Sequence, residues 1–569
     1  MAYKYNPGTL QILPIGGVGE FGMNATLYRY NDTAVIVDAG VMFPDTDQPG
    51  VNLIVPDYTI LREIGVSGLI AGAIITHGHE DHIGGIPFLC RDLDRDMDIY
   101  GTRLTCGFIR KRLEEHRFDH QVNLHEVAAG DSLSFGEIRI HLLRVTHSIV
   151  DCVSVVVETP AGTAFHTGDF KVDQTPIDGK NFDFAGFAEW GKRGIDVLLS
   201  DSTNVAKEGY TLSECTVGDS LQEIIESSRQ KVIVACFSSH IHRIQQIVRI
   251  AHELNRRVVL LGRSLENSMS VARQLGYLKV PAGVMANKEE IRNIPENRLI
   301  IITTGSQGEP MSALSRIVRG EAKQVEIYPG DTIIISAKTI PGNEKSVMRV
   351  INSLYRMEAE VHYEEISEVH VSGHASKEEL KLVFSLLTPR NFIPIHGDRM
   401  QLVHHAKLAK EMGLTRSQIE IVDSGDILEL ADDKVRKIDA IEINRRFIEG
   451  DRFEELEDIA LQDRRRLAED GLIVVTLQVD EKSAELVGEV EVITRGFLLL
   501  SDDEVEMAQI RDRVRRRFNE MKRNERLKWE AVRPKIRSAL RSYFRKRMNS
   551  FPVILPIILT VPRAGGTKR

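Results

Sequence analysis

Hydrophobic and polar positions along the chain follow two rhythms that change at about residue 210 and again near residue 366. Up to about residue 205, short β-rich runs alternate with Gly, Asn and Asp turns. Leu10–Ile15, Ala34–Asp38, Ile138–Val145 and Val153–Glu158 read as strands. Between about 210 and 365 helical periods such as Thr216–Arg229 and Ile241–Leu254 follow one another. Strands of parallel type, Lys231–Ala235 and Arg257–Leu261, lie between them, which predicts a βαβ domain. Residues 366 to about 440 return to strand-plus-turn character. The charged stretch Ile443–Arg466 suits a linker helix. Beyond Leu467, strands Leu472–Val479 and Val553–Val561 bracket a long basic helical middle. The domains expected are 1–208 with 366–442, an insert 209–365, a linker 443–466 and a C-terminal domain 467–569.

Length and charge sharpen this picture. A chain of 569 residues exceeds what one hydrophobic core organises. Net charge is −9, but Arg511 to Ser550 holds sixteen Lys/Arg against four Asp/Glu, leaving the remainder near −21. A basic segment on an acidic chain points to a polyanion, or to a charged face in a subunit interface. The first ten residues show no signal-peptide pattern, and the apolar run Phe551–Val561 contains two prolines and is too short to span a bilayer. Five cysteines form no CxxC pair. A reducing cytoplasm and no membrane are therefore expected.

Gly17-Val18-Gly19-Glu20-Phe21-Gly22 fits a dinucleotide fingerprint, with Asp38 where a ribose-binding acid would stand. That reading needs a helix after the glycines. Ala25–Tyr30, the turn pair Asn31-Asp32 and Ala34–Asp38 instead read as a hairpin. Dinucleotide binding is set aside.

The chemistry concentrates in Thr76-His77-Gly78-His79-Glu80-Asp81-His82, after the apolar run Ile70–Ile75. A single histidine is usually structural. Three with an aspartate, at a spacing that fits no helix face, suit Zn²⁺ or a similar metal bound by a loop. Further strands end in Thr146-His147, His166-Thr167-Gly168-Asp169, Asp201-Ser202-Thr203-Asn204 and His396-Gly397-Asp398. Ligand chemistry gathers outside strand ends, so five such ends can share one site. His77, His79, Asp81, His82, His147, Asp169 and His396 make seven ligands, enough for two metals with a carboxylate between them. His166 is read as a packed histidine.

These residues resemble the metallo-β-lactamase superfamily, and the insert between Asp201 and His374 resembles its β-CASP branch, which acts on nucleic acids. The whole chain, including Gly16–Asn24 and the extra C-terminal domain, is similar to the bacterial ribonuclease J family. The resemblance implies an α/β fold: a metallo-β-lactamase αββα sandwich, an inserted β-CASP α/β domain and a small α+β C-terminal domain. It implies two Zn²⁺ per chain, with Mn²⁺ or Mg²⁺ as alternatives in activity. One falls to His77, His79 and His147, the other to Asp81, His82 and His396, and Asp169 bridges. Attack of a metal-activated water on the scissile phosphate would expel the 3′-oxygen and leave a 5′-monophosphate. His374 is expected to serve the leaving group, Asp201 to orient or tune the site, and Asp38 to support the metal loop. Phe237-Ser238-Ser239-His240-Ile241-His242-Arg243 and His370-Val371-Ser372-Gly373-His374 are expected to cradle RNA phosphates, including a 5′-monophosphate end. For the first loop, plain helix capping by Ser238 or Ser239 is the competing reading. Thr304–Pro310 is a further turn facing substrate, and Asp45-Thr46-Asp47 a structural-cation candidate weaker than ordinary turn chemistry.

The expected function is a metal-dependent ribonuclease of RNA maturation and decay, 5′→3′ exonucleolytic on 5′-monophosphorylated single strands, with endonuclease activity as an addition, working as a homodimer or higher homo-oligomer. A small-molecule metallo-hydrolase and a catalytically silent RNA-binding subunit are the alternatives; DNA stays open as a substrate. The long insert and basic segment weigh against the first alternative, and the full ligand set against the second.

Overall fold

The computed structural model describes residues 4–44, 48–116, 122–309, 311–340, 343–450, 454–456, 458–496 and 504–561. Asp45-Thr46-Asp47 and Pro310 lie outside the described residues. The chain divides into two units, Met1–Phe43 with Leu53–Arg446, and Pro44–Asn52 with Phe447–Arg569.

The first unit is built on two facing sheets. One runs Lys434–Ala440, Asp426–Ala431, Leu10–Gly16, Ala25–Tyr30, Thr33–Val37, Ile70–Ile74, Met97–Thr102, Val122–Val127. The other runs Asn391–Ile395, Val197–Asp201, Gly162–His166, Val153–Thr159, Ile138–Arg144, Ser132–Phe135. Strand alternation sends every second side chain inward. Leu10, Ile12, Tyr28, Val35 and Val37 therefore meet Ile138, Ile140, Val155 and Val157 in one core. Helix Arg103–His116 packs on the first sheet and Arg399–Glu411 on the second. This is the metallo-β-lactamase αββα sandwich. The hairpin read after the glycines is present, with Thr26 opposite Val37 and Tyr30 opposite Thr33.

The insert is an all-parallel sheet in the order Arg257–Leu261, Leu299–Thr303, Val232–Ala235, Thr332–Ile335, Glu360–His362, with its own core. Four of its strands are nearly continuous apolar runs, buried along most of their length, and only the edge strand Glu360–His362 departs from this.

Two segments differ from the sequence reading. Residues 366–440 hold two helices, Lys377–Leu387 and Arg399–Glu411, beside their strands. The first is announced by a capping box of Ser376 and Glu379. The stretch Ile443–Arg466 is no single helix. Arg445–Glu449 is a strand, Phe447 pairing with Leu456, and a helix follows at Asp458–Asp470. The adjacent β-favouring pair Phe447-Ile448 is the local strand signal, which net charge alone conceals.

In the C-terminal unit, Leu472–Asp480 pairs with Glu491–Arg495 and, in parallel, with Val553–Val561. Helices Glu504–Asn519 and Trp529–Met548 bury Ile510, Phe518, Ile536 and Phe544 against one face. The other face leaves Ile493, Leu555, Ile557 and Leu559 exposed.

Candidate metal centre

The carboxyl ends of the strands place the site. Strand Ile70–Ile74 delivers Thr76 and His77. His79 caps a one-turn helix, Glu80–Ile83, that carries Asp81 and His82. The motif is thus loop for its first half and helix for its second. Glu80 and Asp81 in the first turn suit the helix dipole. His147 follows Ile138–Arg144, Asp169 follows Gly162–His166, Asp201 ends Val197–Asp201, and His396 follows Asn391–Ile395.

These side chains converge in two groups. In the first, His77 Nε2 and His147 Nε2 each lie 3.1 Å from His79 Nδ1. Nitrogens 2.0–2.1 Å from a tetrahedral zinc stand about 3.3 Å apart. In the second, Asp81, His82, Asp169 and His396 offer ligand atoms within 4.8 Å of one another. Asp169 stands between the groups. Its Oδ2 is 3.3 Å from His82 Nε2 and 3.8 Å from both His77 Nε2 and His147 Nε2. His396 Nε2 lies 3.4 Å from Asp81 Oδ2 and 3.6 Å from Asp169 Oδ1. Asp169 Oδ1 is buried and accepts no hydrogen bond. An ionised oxygen so placed is costly unless a cation meets it. Imidazole and carboxylate together fit a divalent transition metal.

Electrostatics divide the donors into two sets. Burial and neighbouring imidazoles hold His77 and His147 well below the ordinary histidine range; His79, chiefly through burial, falls to about 4. All three keep a free lone pair at neutral pH. For His82 and His396 burial acts in the same direction, but the surrounding carboxylates, Asp169 foremost, outweigh it and hold them well above that range. Burial opposes ionisation of Asp169, yet His396, His82 and His374 hold it well below the usual carboxylate range.

The far nitrogens are fixed by partners. Asp38 takes His82 Nδ1 at 2.8 Å and the Thr76 N–H at 2.8 Å. Thr76 Oγ1 meets His77 Nδ1 at 3.0 Å, and Thr203 Oγ1 meets His396 Nδ1 at 2.7 Å. His147 Nδ1 donates to the Gly373 carbonyl at 2.6 Å. Such partners orient a ligand and raise its basicity. Asp38 and His396 both take left-handed backbone angles, φ 62° and 52°, a conformation that costs a non-glycine residue roughly 1–2 kcal/mol. Asp38→Ala is expected to lower metal affinity about 10- to 100-fold. Metal content after dialysis against graded chelator checks this, and full retention would show that His82 needs no such support.

His374 Nδ1 is 2.8 Å from Asp201 Oδ2, and Asp201 Oδ1 reaches His396 Nδ1 at 3.4 Å. Burial works against protonation of His374, but Asp201 and Asp169 raise it above the ordinary histidine value. Asn204 holds Ser372 Oγ at 2.7 Å and the His374 carbonyl at 3.1 Å. A Cβ on Gly373 would stand 2.6 Å from the His147 ring. Gly373→Ala is therefore expected to displace His147 and lower both metal content and turnover; unchanged metal content would refute the coupling. His370 and Val371 complete that segment, with His370 Nδ1 buried and unpartnered.

The other phosphate-loop candidates lie at a helix start. The cap of Ile241–Glu253 is His240, which accepts from the Arg243 N–H at 3.4 Å, and neither Ser238 nor Ser239 takes that role. Both serines are half-buried. Arg243 is fully buried, bonded through Nε to Glu214 at 2.6 Å and through Nη1 to the Val369 carbonyl at 2.8 Å. Its Nη2 and His240 Nε2 have no hydrogen-bond partner. Gln307 ties its turn to the Lys338 carbonyl and the Ile340 N–H, both at 2.8 Å. His166 is packed, its Nδ1 on the Tyr28 hydroxyl at 2.9 Å.

Sequence reasoning left four positions unused. Asn24 bonds the Asp81 carbonyl at 3.1 Å through both its backbone and its side-chain nitrogen. A Cβ on Gly40 would stand 1.6 Å from that carbonyl. Thr76 and Thr203 hold the ligands named above. The glycine run has a use as well: the Gly17 carbonyl accepts the His396 N–H at 2.8 Å.

Family models match in series along the chain: a beta-lactamase superfamily domain at 60–224, the ribonuclease J beta-CASP domain at 229–354, a Zn-dependent metallo-hydrolase RNA specificity domain at 358–422 and the ribonuclease J C-terminal domain at 459–561. Ribonuclease J of Thermus thermophilus is 38% identical over 561 residues, covering 97% of this chain and 95% of that one. The chain belongs to the ribonuclease J family. Within the family, ribonuclease J of Synechocystis is 36% identical over 569 residues, covering 98% of this chain and 88% of the relative. Ribonuclease J2 of Bacillus subtilis is 34% identical over 558 residues, covering 98% and 100%. A crystal structure of an Enterococcus faecalis protein of unknown function aligns with TM-score 0.51 at 14% identity, over 74% of this chain and all of that one, a likeness of fold. No described helix is long and apolar enough to cross a membrane.

Proposed function

We propose that the chain is a metal-dependent ribonuclease that hydrolyses phosphodiester bonds at the Asp169 centre, degrading single-stranded RNA 5′→3′ from 5′-monophosphate ends. The observation that carries the reading is the pairing of two ligand groups across one buried carboxylate. His77, His79 and His147 would hold one metal, Asp81, His82 and His396 the other, and Asp169 would serve both; zinc suits the nitrogen-rich donors. When bound, such a pair supplies Lewis acidity to water and phosphate. The chain's own residues supply the rest. His374, its Nδ1 on Asp201, presents its other nitrogen as a proton donor to the leaving 3′-oxygen. Ser238, Ser239, His240, His370, Val371, Ser372 and Gly373 line the phosphate path. Arg243 Nη2, which has no hydrogen-bond partner, adds a donor behind the first loop, while His240 Nε2 faces Glu214 Oε2 at 3.5 Å.

A time course on RNA labelled at either end tests this. Release of 5′-label as mononucleotide, faster for monophosphate than for triphosphate ends, is expected. Internal fragments at the earliest times would instead mark an endonuclease. Action in RNA maturation and decay in the cytoplasm follows from that activity.

A homodimer is the second element of the reading, supported by the exposed sheet face of Ile493, Leu555, Ile557 and Leu559. A chain ending before Leu467 is expected to keep its metals, since every ligand lies at or before His396, and to become a weakly active monomer. Light scattering and metal analysis check this; a truncated chain that stays dimeric and fully active would overturn it.

A further inference from the structure

The C-terminal unit carries a basic surface whose contact residues the reading above does not name. Helix Trp529–Met548 turns Val532, Ile536, Leu540 and Phe544 into the core. Among its twenty residues the only acid is Glu530. Trp529, Arg533, Arg537, Arg541 and Arg545 follow at intervals of four. Four helical residues rise about 6 Å and complete slightly more than one turn, so these five form one slowly winding ridge about 24 Å long. At its start the Arg533 guanidinium lies over the Trp529 ring, 3.8 Å from the centroid. The indole is still 41% exposed, and Arg533 Nε is shielded from water with no partner. Arg537, Arg541 and Arg545 pair with no acid among the described residues. Nearby acids are already engaged: Glu506 with Arg547, Glu520 with Arg517, Glu525 with Lys535. Like charges four residues apart weaken a helix, and nothing among the described contacts offsets that.

We infer that this ridge is a track for single-stranded RNA. An unpaired base stacks on the Trp529–Arg533 pair, and successive phosphates meet Arg537, Arg541 and Arg545. Unpaired bases stack on aromatic rings and guanidinium planes alike, without regard to sequence. An acidic protein segment would satisfy the arginines but gain nothing from an indole capped by a guanidinium. The choice of RNA rests on the ribonuclease reading; the shape and charge of the ridge do not.

The chain has two tryptophans, and Trp190 is only 7% exposed. Full-length Trp190→Phe protein therefore reports on Trp529 by its own fluorescence. The probe is a nuclease-resistant, phosphorothioate-linked oligoadenylate. Saturable quenching is expected. The chain with Arg537→Gln, Arg541→Gln and Arg545→Gln should bind with a slope of log affinity against log salt smaller by about 2, since each single-strand phosphate neutralised contributes about 0.7. Binding without quenching, or an unchanged slope, overturns the track. So does a triple variant that loses self-association in light scattering while keeping its RNA affinity, which would make the ridge a protein interface. Cleavage of 5′-monophosphorylated RNA by the unaltered chain is read separately. Quenching without cleavage would sink the ribonuclease reading and leave the track; cleavage without quenching would do the reverse.

Discussion

Asp81→Ala is expected to abolish cleavage, by about 10³-fold or more, while most RNA affinity remains. A loss of that size corresponds to about 4 kcal/mol of transition-state stabilisation. Asp81 is a ligand candidate of the second group only, 3.4 Å from His396 and 3.5 Å from His82. Its backbone carbonyl is separately held by Asn24, so the loop keeps its path when the carboxylate goes. On the proposed reading RNA affinity comes from the phosphate loops and basic surfaces, which the substitution leaves alone. Turnover and metal content are to be measured on the same sample. Near-normal cleavage with one metal missing would end the two-metal reading. His77→Ala should behave alike through the other group.

His374→Ala is the second large effect, a slowing of about 10²- to 10⁴-fold, the range for a removed general acid. Metal content should be unchanged, because Nδ1 faces Asp201 and the seven ligands are otherwise complete. A chain that loses one metal instead would show His374 to be a ligand. The partner variant carries a sign. Asp201 raises the His374 value, so Asp201→Asn lowers it. The donor then loses its proton at lower pH, and the basic limb of the kcat profile moves to lower pH. A limb that stays in place would exclude His374 as the acid.

The cluster of histidines and aspartates was legible because such side chains stand at the ends of strands whose apolar positions, continuous or alternating, periodicity finds. The hairpin after the glycines was legible for the same reason. What escaped was set by contacts between distant segments. Asn24, Gly40 and Thr203 are ordinary turn residues until the chain folds them against Asp81 and His396. Gly373 looks like a phosphate-loop glycine, and its contact with the His147 ring is a matter of packing. Arg243 stood inside a quoted loop, but its complete burial and its pairing with Glu214 follow from the insert's tertiary structure. The helix Lys377–Leu387 did carry a local signal, the Ser376–Glu379 box, and could have been found.

Asp81 and His396 touch across 315 residues of sequence, and that separation has a meaning during synthesis. At about 5–20 residues per second the ribosome needs roughly 15–60 s to travel from one to the other. Throughout that interval the nascent chain carries its early histidines but lacks His396, and for most of it Gly373 and His374 as well. The side chains around Asp169 are thus incomplete for as long as the insert is being translated. The candidate site closes only when the insert is finished and the strand Asn391–Ile395 joins the strand Val197–Asp201.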